Sequence, residues 1–167
     1  MARALLVIDI QNDYFAGGAL PLWQAEETEA RIVSAIARAR ADGDRIILVR
    51  HVSTAPAGPF VAGSAGAAIR PAILDAAADA PVVTKHYADA FQETDLADHL
   101  TGIREILVAG MMTQNCVVFT AMSRAADGLQ VRVVGDLCTA PTEAVHGIAL
   151  NALGSKIEVA TAVDIWA

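Results

Sequence analysis

Three side chains with complementary chemistry stand at the ends of apolar runs in this sequence. Asp9 closes ALLVI, Lys85 follows PVVT, and Cys116 lies within GMMTQNCVVFTAM. A thiol supplies a nucleophile, a carboxylate a base, and an ammonium a cation that steadies developing charge. Each residue also has a plainer reading. A lone cytosolic cysteine is usually a small core residue, an Asp after a strand often bonds loop N–H groups, and a strand-end Lys is usually solvated. The three gain weight only if the fold brings them to one edge.

The elements that would do so are legible as apolar bursts. Ala4–Ile8, Ile46–Val49, Val82-Val83, Ile106–Ala109, Val131–Val134 and Ile157–Ala160 have strand length. The segments Ala25–Ala41, Asp95–Leu100, Asn115–Ala126 and Thr142–Leu153 between them carry helical patterning, with Thr94 and Thr142 as caps or first-turn residues. Strand alternating with helix predicts one α/β domain over residues 1–167. Its architecture is a three-layer α/β/α fold, Rossmann-like in arrangement, on about six parallel strands. Ligands in such folds bind outside the carboxyl ends of the strands. That edge should hold Asp9, His51, Lys85, the Gly110–Cys116 turn and Asp136. If the helix begins near Asn115, the thiol lies in its first turn, where free N–H groups favour thiolate. Cys138, in GDLCTAP, reads as a structural residue in a loop.

Composition excludes several classes. Although 54% of residues are hydrophobic, no apolar run reaches the roughly 20 residues of a membrane span. Net charge is −7 with no basic stripe, which argues against nucleic acid. Ile10-Gln11-Asn12-Asp13 replaces the glycine fingerprint of a dinucleotide site, so NAD is not expected. Two cysteines make no disulfide framework, and the first residues lack a secretory pattern, which points to the cytoplasm. The four histidines form no H-x-x-x-H or H-x-H pair. His99 and His146 fall within helices as surface or packing residues, while His51 and His86 stand at the reactive edge. Of eight aromatics, six (Tyr14, Phe15, Trp23, Phe60, Tyr87 and Phe91) fall in the first three strand-to-helix loops. That bias predicts an apolar pocket wall, with some of the rings pinning loops or meeting another subunit.

LLVIDIQNDYF, KHYADAF and ILVAGMMTQNCV, in this order and spacing, resemble the isochorismatase-like cysteine hydrolases, which include nicotinamidases and related small amidases. The resemblance runs from Ala4 to about Ala160. It implies a catalytic triad of Asp9, Lys85 and Cys116, and a non-proline cis peptide at Met111–Met112. It further implies an oxyanion hole from the N–H groups of Met112 and Cys116. Relatives that cleave the vinyl ether of isochorismate lack the cysteine present here, which favours acyl chemistry. Metal-containing nicotinamidases carry Asp-x-His after the second strand; here the segment reads Val49-Arg50-His51. The resemblance therefore implies no metal and no cofactor, and nicotinamide becomes a doubtful substrate.

These readings converge on a cysteine-dependent hydrolase of a small amide, working through a thioester. Phe15, Trp23, His51, Phe60, Tyr87 and Phe91 are the expected substrate contacts. The same triad would serve for an ester, imide or ring amide, and a thiol-based sensor with Cys138 as resolving cysteine is the rival of another class. The expected partners are a small-molecule amide, neither nucleic acid nor membrane, and further copies of the chain in a homodimer or larger assembly.

Overall fold

The computed structural model describes residues 2–167. Six strands form one parallel sheet: β1 (Arg3–Ile8), β2 (Arg45–His51), β3 (Val82–Lys85), β4 (Glu105–Met111), β5 (Gln130–Thr139) and β6 (Glu158–Ala160). Their spatial order is β3-β2-β1-β4-β5-β6. The chain builds outward from β1 to β3, then returns to the other side of β1 with β4. Loops after β1 and β4 therefore diverge at a topological switch point, the place where open α/β sheets bind ligands.

Helices cover both faces: α1 (Ala25–Ala41), α2 (Pro71–Ala77), α3 (Leu96–His99), α4 (Val118–Ala121), α5 (Glu143–Gly154) and α6 (Ala162–Ile165). β1 shows why the apolar runs are continuous. Leu5 and Val7 join one hydrophobic cluster with Ile32 and Ile36 of α1 and Ile73 of α2. Ala4, Leu6 and Ile8 join a second cluster with Leu96 of α3, Ala121 of α4 and Leu153 of α5. Side chains alternate across a strand, so a strand buried on both faces has no polar positions. Each large apolar side chain so buried contributes about 1.5–3 kcal/mol.

Several boundaries move from the sequence-based expectation. β2 includes Arg50 and His51, and β4 includes Gly110. β5 runs ten residues, through Gly135, Asp136 and Cys138, because its pairing with β4 shifts register between Val108 and Gly110 and then resumes at Gly110↔Cys138. Cys138 is thus an interior strand residue, not a loop residue. Asp136 does not stand at the reactive edge: its Oδ1 accepts from the N–H of Ala162, 2.8 Å away, at the start of α6. The helix expected over Asn115–Ala126 is broken into a π-helical turn at Thr113–Val117, the short α4, and a 3-10 turn at Arg124–Ala126.

Candidate active site

Gly110 sets the geometry of the turn that carries the thiol. Its φ is +129°, and a Cβ there would lie 2.1 Å from the carbonyl oxygen of Ile8. Only glycine lets β4 pass β1 this closely in that conformation. The Met111–Met112 peptide that follows is cis. The Met112 N–H has no backbone partner among the described residues. The π-helical turn then places Cys116 inward, 3% exposed.

Asp9 leaves β1 with φ +56°, a left-handed conformation that a short polar side chain tolerates better than most. Its N–H donates to Val49 O at 2.8 Å, so the bend is tied to β2. The carboxylate is wholly buried. Lys85 is the last residue of β3, whose alternation puts Val83 and Lys85 on the inner face and Thr84 toward the outside. It too is wholly buried.

The Lys85 ammonium is the hub. Nζ lies 2.9 Å from Asp9 Oδ2, 3.0 Å from Tyr87 O, 3.1 Å from His51 Nδ1 and 3.3 Å from Cys116 Sγ. The last three are aligned hydrogen bonds. The approach to Asp9 is an ion pair without that alignment, so neither carboxylate oxygen has a hydrogen-bond donor among the described residues. Oδ2 is held in the ion pair, which leaves Oδ1 open to accept a proton.

Electrostatics assigns resting states. Burial, then the negative charge of Asp9, pushes the Cys116 thiol up to about 12, and the opposing pull of Lys85 does not overcome them. The resting group is therefore a neutral thiol, and burial outweighs the help that a first-turn position gives the thiolate. Burial alone would lower the Lys85 pKa, but the charge of Asp9 first, with the Cys116 sulfur beside it, reverses this and the net direction is upward. A thiol that must lose its proton before it attacks requires a base, and Asp9 is the carboxylate of this cluster.

The expected pocket residues divide. His51 reaches Lys85, and its ring packs edge-on against Phe60, with centroids 5.8 Å apart. Phe60 in turn packs on Tyr14 at 4.8 Å. Tyr87 is exposed at its ring while its carbonyl binds Lys85. Trp23 is half-buried beside His146, and Phe91 packs against the second hydrophobic cluster. Phe15 fills the core beneath the guanidinium of Arg70, 4.1 Å from the ring centroid, and Tyr14 is buried to the same degree in the same cluster. Burial, then the charges of Asp9 and Cys116, holds the Tyr14 phenol well above its ordinary pKa, which puts its hydroxyl within their field. His86 bonds Val52 O at 2.7 Å through its ring.

Several supporting residues escaped the sequence reading. The Gln11 amide donates to His51 O and Ala67 O and accepts from the His51 N–H, at 2.7–2.8 Å. The Asp13 carboxylate accepts from Phe60 N at 2.7 Å and Ala19 N at 3.1 Å, which ties two loops together. His146 is more than a packing residue, since its Nδ1 lies 2.8 Å from Thr113 Oγ1 and braces the turn before the thiol. Polar residues directly behind a fully buried strand, as in IDIQND, were the available signal for the first two. The rival sensor reading gains nothing: the Cys138 thiol is buried in β5 and donates to Val134 O.

The sequence matches the isochorismatase domain over residues 3–164. It is 32% identical to the isochorismatase family protein YddQ of Bacillus subtilis, over 85% of this chain and 80% of that one. It is 26% identical to the nicotinamidase/pyrazinamidase of Mycobacterium tuberculosis, over 81% of this chain and 85% of that one. Its fold superposes on the crystal structure of an isochorismatase family protein from Desulfovibrio vulgaris with a TM-score of 0.89, at 28% identity, covering 98% and 96% of the two chains. The residues present do not fit a metal site. No three His, Cys, Asp or Glu side chains converge as ligands among the described residues, and His51 Nδ1 is committed to Lys85.

Proposed function

This chain belongs to the isochorismatase family, and from that premise we propose that it is a cysteine-dependent amidohydrolase acting on a small amide through a thioester on Cys116. The observation that carries the reading is the buried Lys85 Nζ, within 2.9 Å of a carboxylate and 3.3 Å of a thiol.

Asp9 takes the proton of Cys116, and its sulfur forms a bond to the substrate carbonyl carbon. The carbonyl electrons move onto oxygen, where the N–H groups of Met112 and Cys116 receive them. One such donor is worth about 3–4 kcal/mol in other enzymes. Lys85 holds the sulfur and the carboxylate in register while charge moves between them. Protonated Asp9 then returns the proton to the departing nitrogen as the C–N bond breaks, leaving a thioester. Asp9 next deprotonates a water, whose oxygen attacks the same carbon and expels the thiolate, which recovers its proton. Ester, imide and ring-amide bonds would yield to the same steps, so the bond cleaved is a matter of what the pocket admits.

Tyr14, Trp23, Phe60, Tyr87 and Phe91 are the candidate walls of that pocket. The test is hydrolysis of a panel of small amides, esters, imides and lactams by the wild type, Cys116→Ala and Cys138→Ala. Turnover lost only in Cys116→Ala supports the reading. Undiminished turnover by Cys116→Ala would refute it, and preference for esters over every amide would reassign the bond.

A further inference from the structure

A lysine ammonium carries three N–H groups in fixed tetrahedral directions and rotates freely about its last bond. Fixing two of them fixes the third. Here one N–H reaches Tyr87 O at 3.0 Å, one reaches His51 Nδ1 at 3.1 Å, and the remaining one points at Cys116 Sγ at 3.3 Å. We propose that His51 is a positioning residue: its neutral imidazole accepts from Lys85 through Nδ1 and thereby aims the third N–H at the reacting sulfur.

Nδ1 can accept only when it carries no proton, so His51 must be the tautomer protonated at Nε2. The backbone enforces this placement. His51 and Lys85 are cross-strand partners in the β2–β3 register. The Gln11 amide clamps the His51 N–H and C=O, each at 2.8 Å, and Phe60 closes on the ring edge. A protonated His51 has donors at both nitrogens. It would face the ammonium donor to donor and cation to cation, and Lys85 would turn from the thiol. The titratable groups around the ring are Lys85 and His86 from the end of β3 and Asp9 from the end of β1. Burial first, then Lys85 and more weakly His86, holds the ring below the ordinary histidine range, with Asp9 and the Tyr87 carbonyl pulling the other way. The ring therefore stays neutral through the physiological range, and the arrangement fails only on acidification.

This inference rests on the amidase reading for its kinetic consequence but not for its structural test. Long-range 1H–15N spectra of the imidazoles, with His51 identified by its disappearance in His51→Gln, report tautomer and pKa without any substrate. The expected result is an Nε2–H tautomer at neutral pH and a pKa below the ordinary value, returning toward that value in Lys85→Met. An Nδ1–H tautomer, or a His51 pKa unmoved in a folded Lys85→Met, would overturn the proposal; if that variant does not fold, the wild-type tautomer decides. Where an amide substrate is in hand, His51→Leu should lower kcat about 100-fold with little change in KM, the scale of a small misalignment at a reacting centre. His51→Gln, which can accept but not titrate, should recover most of that loss and remain active at acid pH where the wild type fails. An acid limb identical in His51→Gln and wild type would remove His51 from it.

Discussion

The Lys85 ammonium and the Asp9 carboxylate form an ion pair at 2.9 Å with neither side chain exposed. Removing one partner of a buried pair leaves the other charged and unpaired, at a cost of about 3–5 kcal/mol. Lys85→Ala should therefore lose stability as well as activity, and urea denaturation near neutral pH measures it. The net pKa of Lys85 is raised, so the stability it contributes is present below the ordinary lysine range and is lost as pH rises through the folded value. A Lys85→Ala variant as stable as wild type would contradict that cost.

The thiols give a second pH dependence. Burial, first in both cases, moves Cys116 and Cys138 from an ordinary 9.0 to about 12. Folded thiols stay protonated where unfolded ones have ionised, so stability should fall as pH rises from about 9 toward about 12. Cys138→Ala should flatten that fall, as read from denaturant midpoints at successive pH values. A slope unchanged in the variant would show that Cys138 does not cause it.

Activity should survive exhaustive chelation. The segment Val49-Arg50-His51 lacks the carboxylate of an Asp-x-His pair, and His51 faces a lysine. Dialysis against a strong chelator, followed by assay with and without added zinc or iron, checks this. Loss of rate that a metal restores would contradict it.

The same loops imply a preference among substrates. Arg50 is exposed, with its guanidinium on Thr84 at 2.8 Å, and Arg70 is engaged by Glu29 at 3.0 Å. At this edge Arg50 is thus a lone arginine without a carboxylate partner among the described residues, not a cluster that would clamp a second carboxylate. Compact neutral carboxamides should surpass dicarboxylic monoamides such as maleamate in kcat/KM, with each lost wall residue costing about 1–3 kcal/mol in discrimination. A clear preference for the anionic amide, abolished in Arg50→Ala, would reverse the assignment.

Much of this was legible before the fold was seen, for a physical reason. A strand buried on both faces writes itself as an unbroken apolar run, so the parallel sheet and the placement of Asp9, Lys85 and Cys116 at its edge follow from runs and their ends. What escaped depends on contacts distant in sequence. Tyr14 and Phe15 are adjacent, and nothing local says that both turn inward after the left-handed bend at Asp9. β5 continues past Gly135-Asp136 because its pairing with β4 resumes at Cys138, although both residues read locally as a turn. The α2 segment, PAILDAA, has little polar face to mark its period. The burial that raises the Cys116 thiol likewise comes from residues distant in sequence.

The central claim is that the Cys116 sulfur carries the acyl group of an amide substrate. Intact-mass spectrometry of the protein quenched during turnover of a small-amide panel tests it most directly. The account predicts an added mass equal to the acyl group, mapped to Cys116, present in Cys138→Ala and missing from Cys116→Ala. Hydrolysis that proceeds with no acyl adduct on Cys116, and continues in Cys116→Ala, would contradict it.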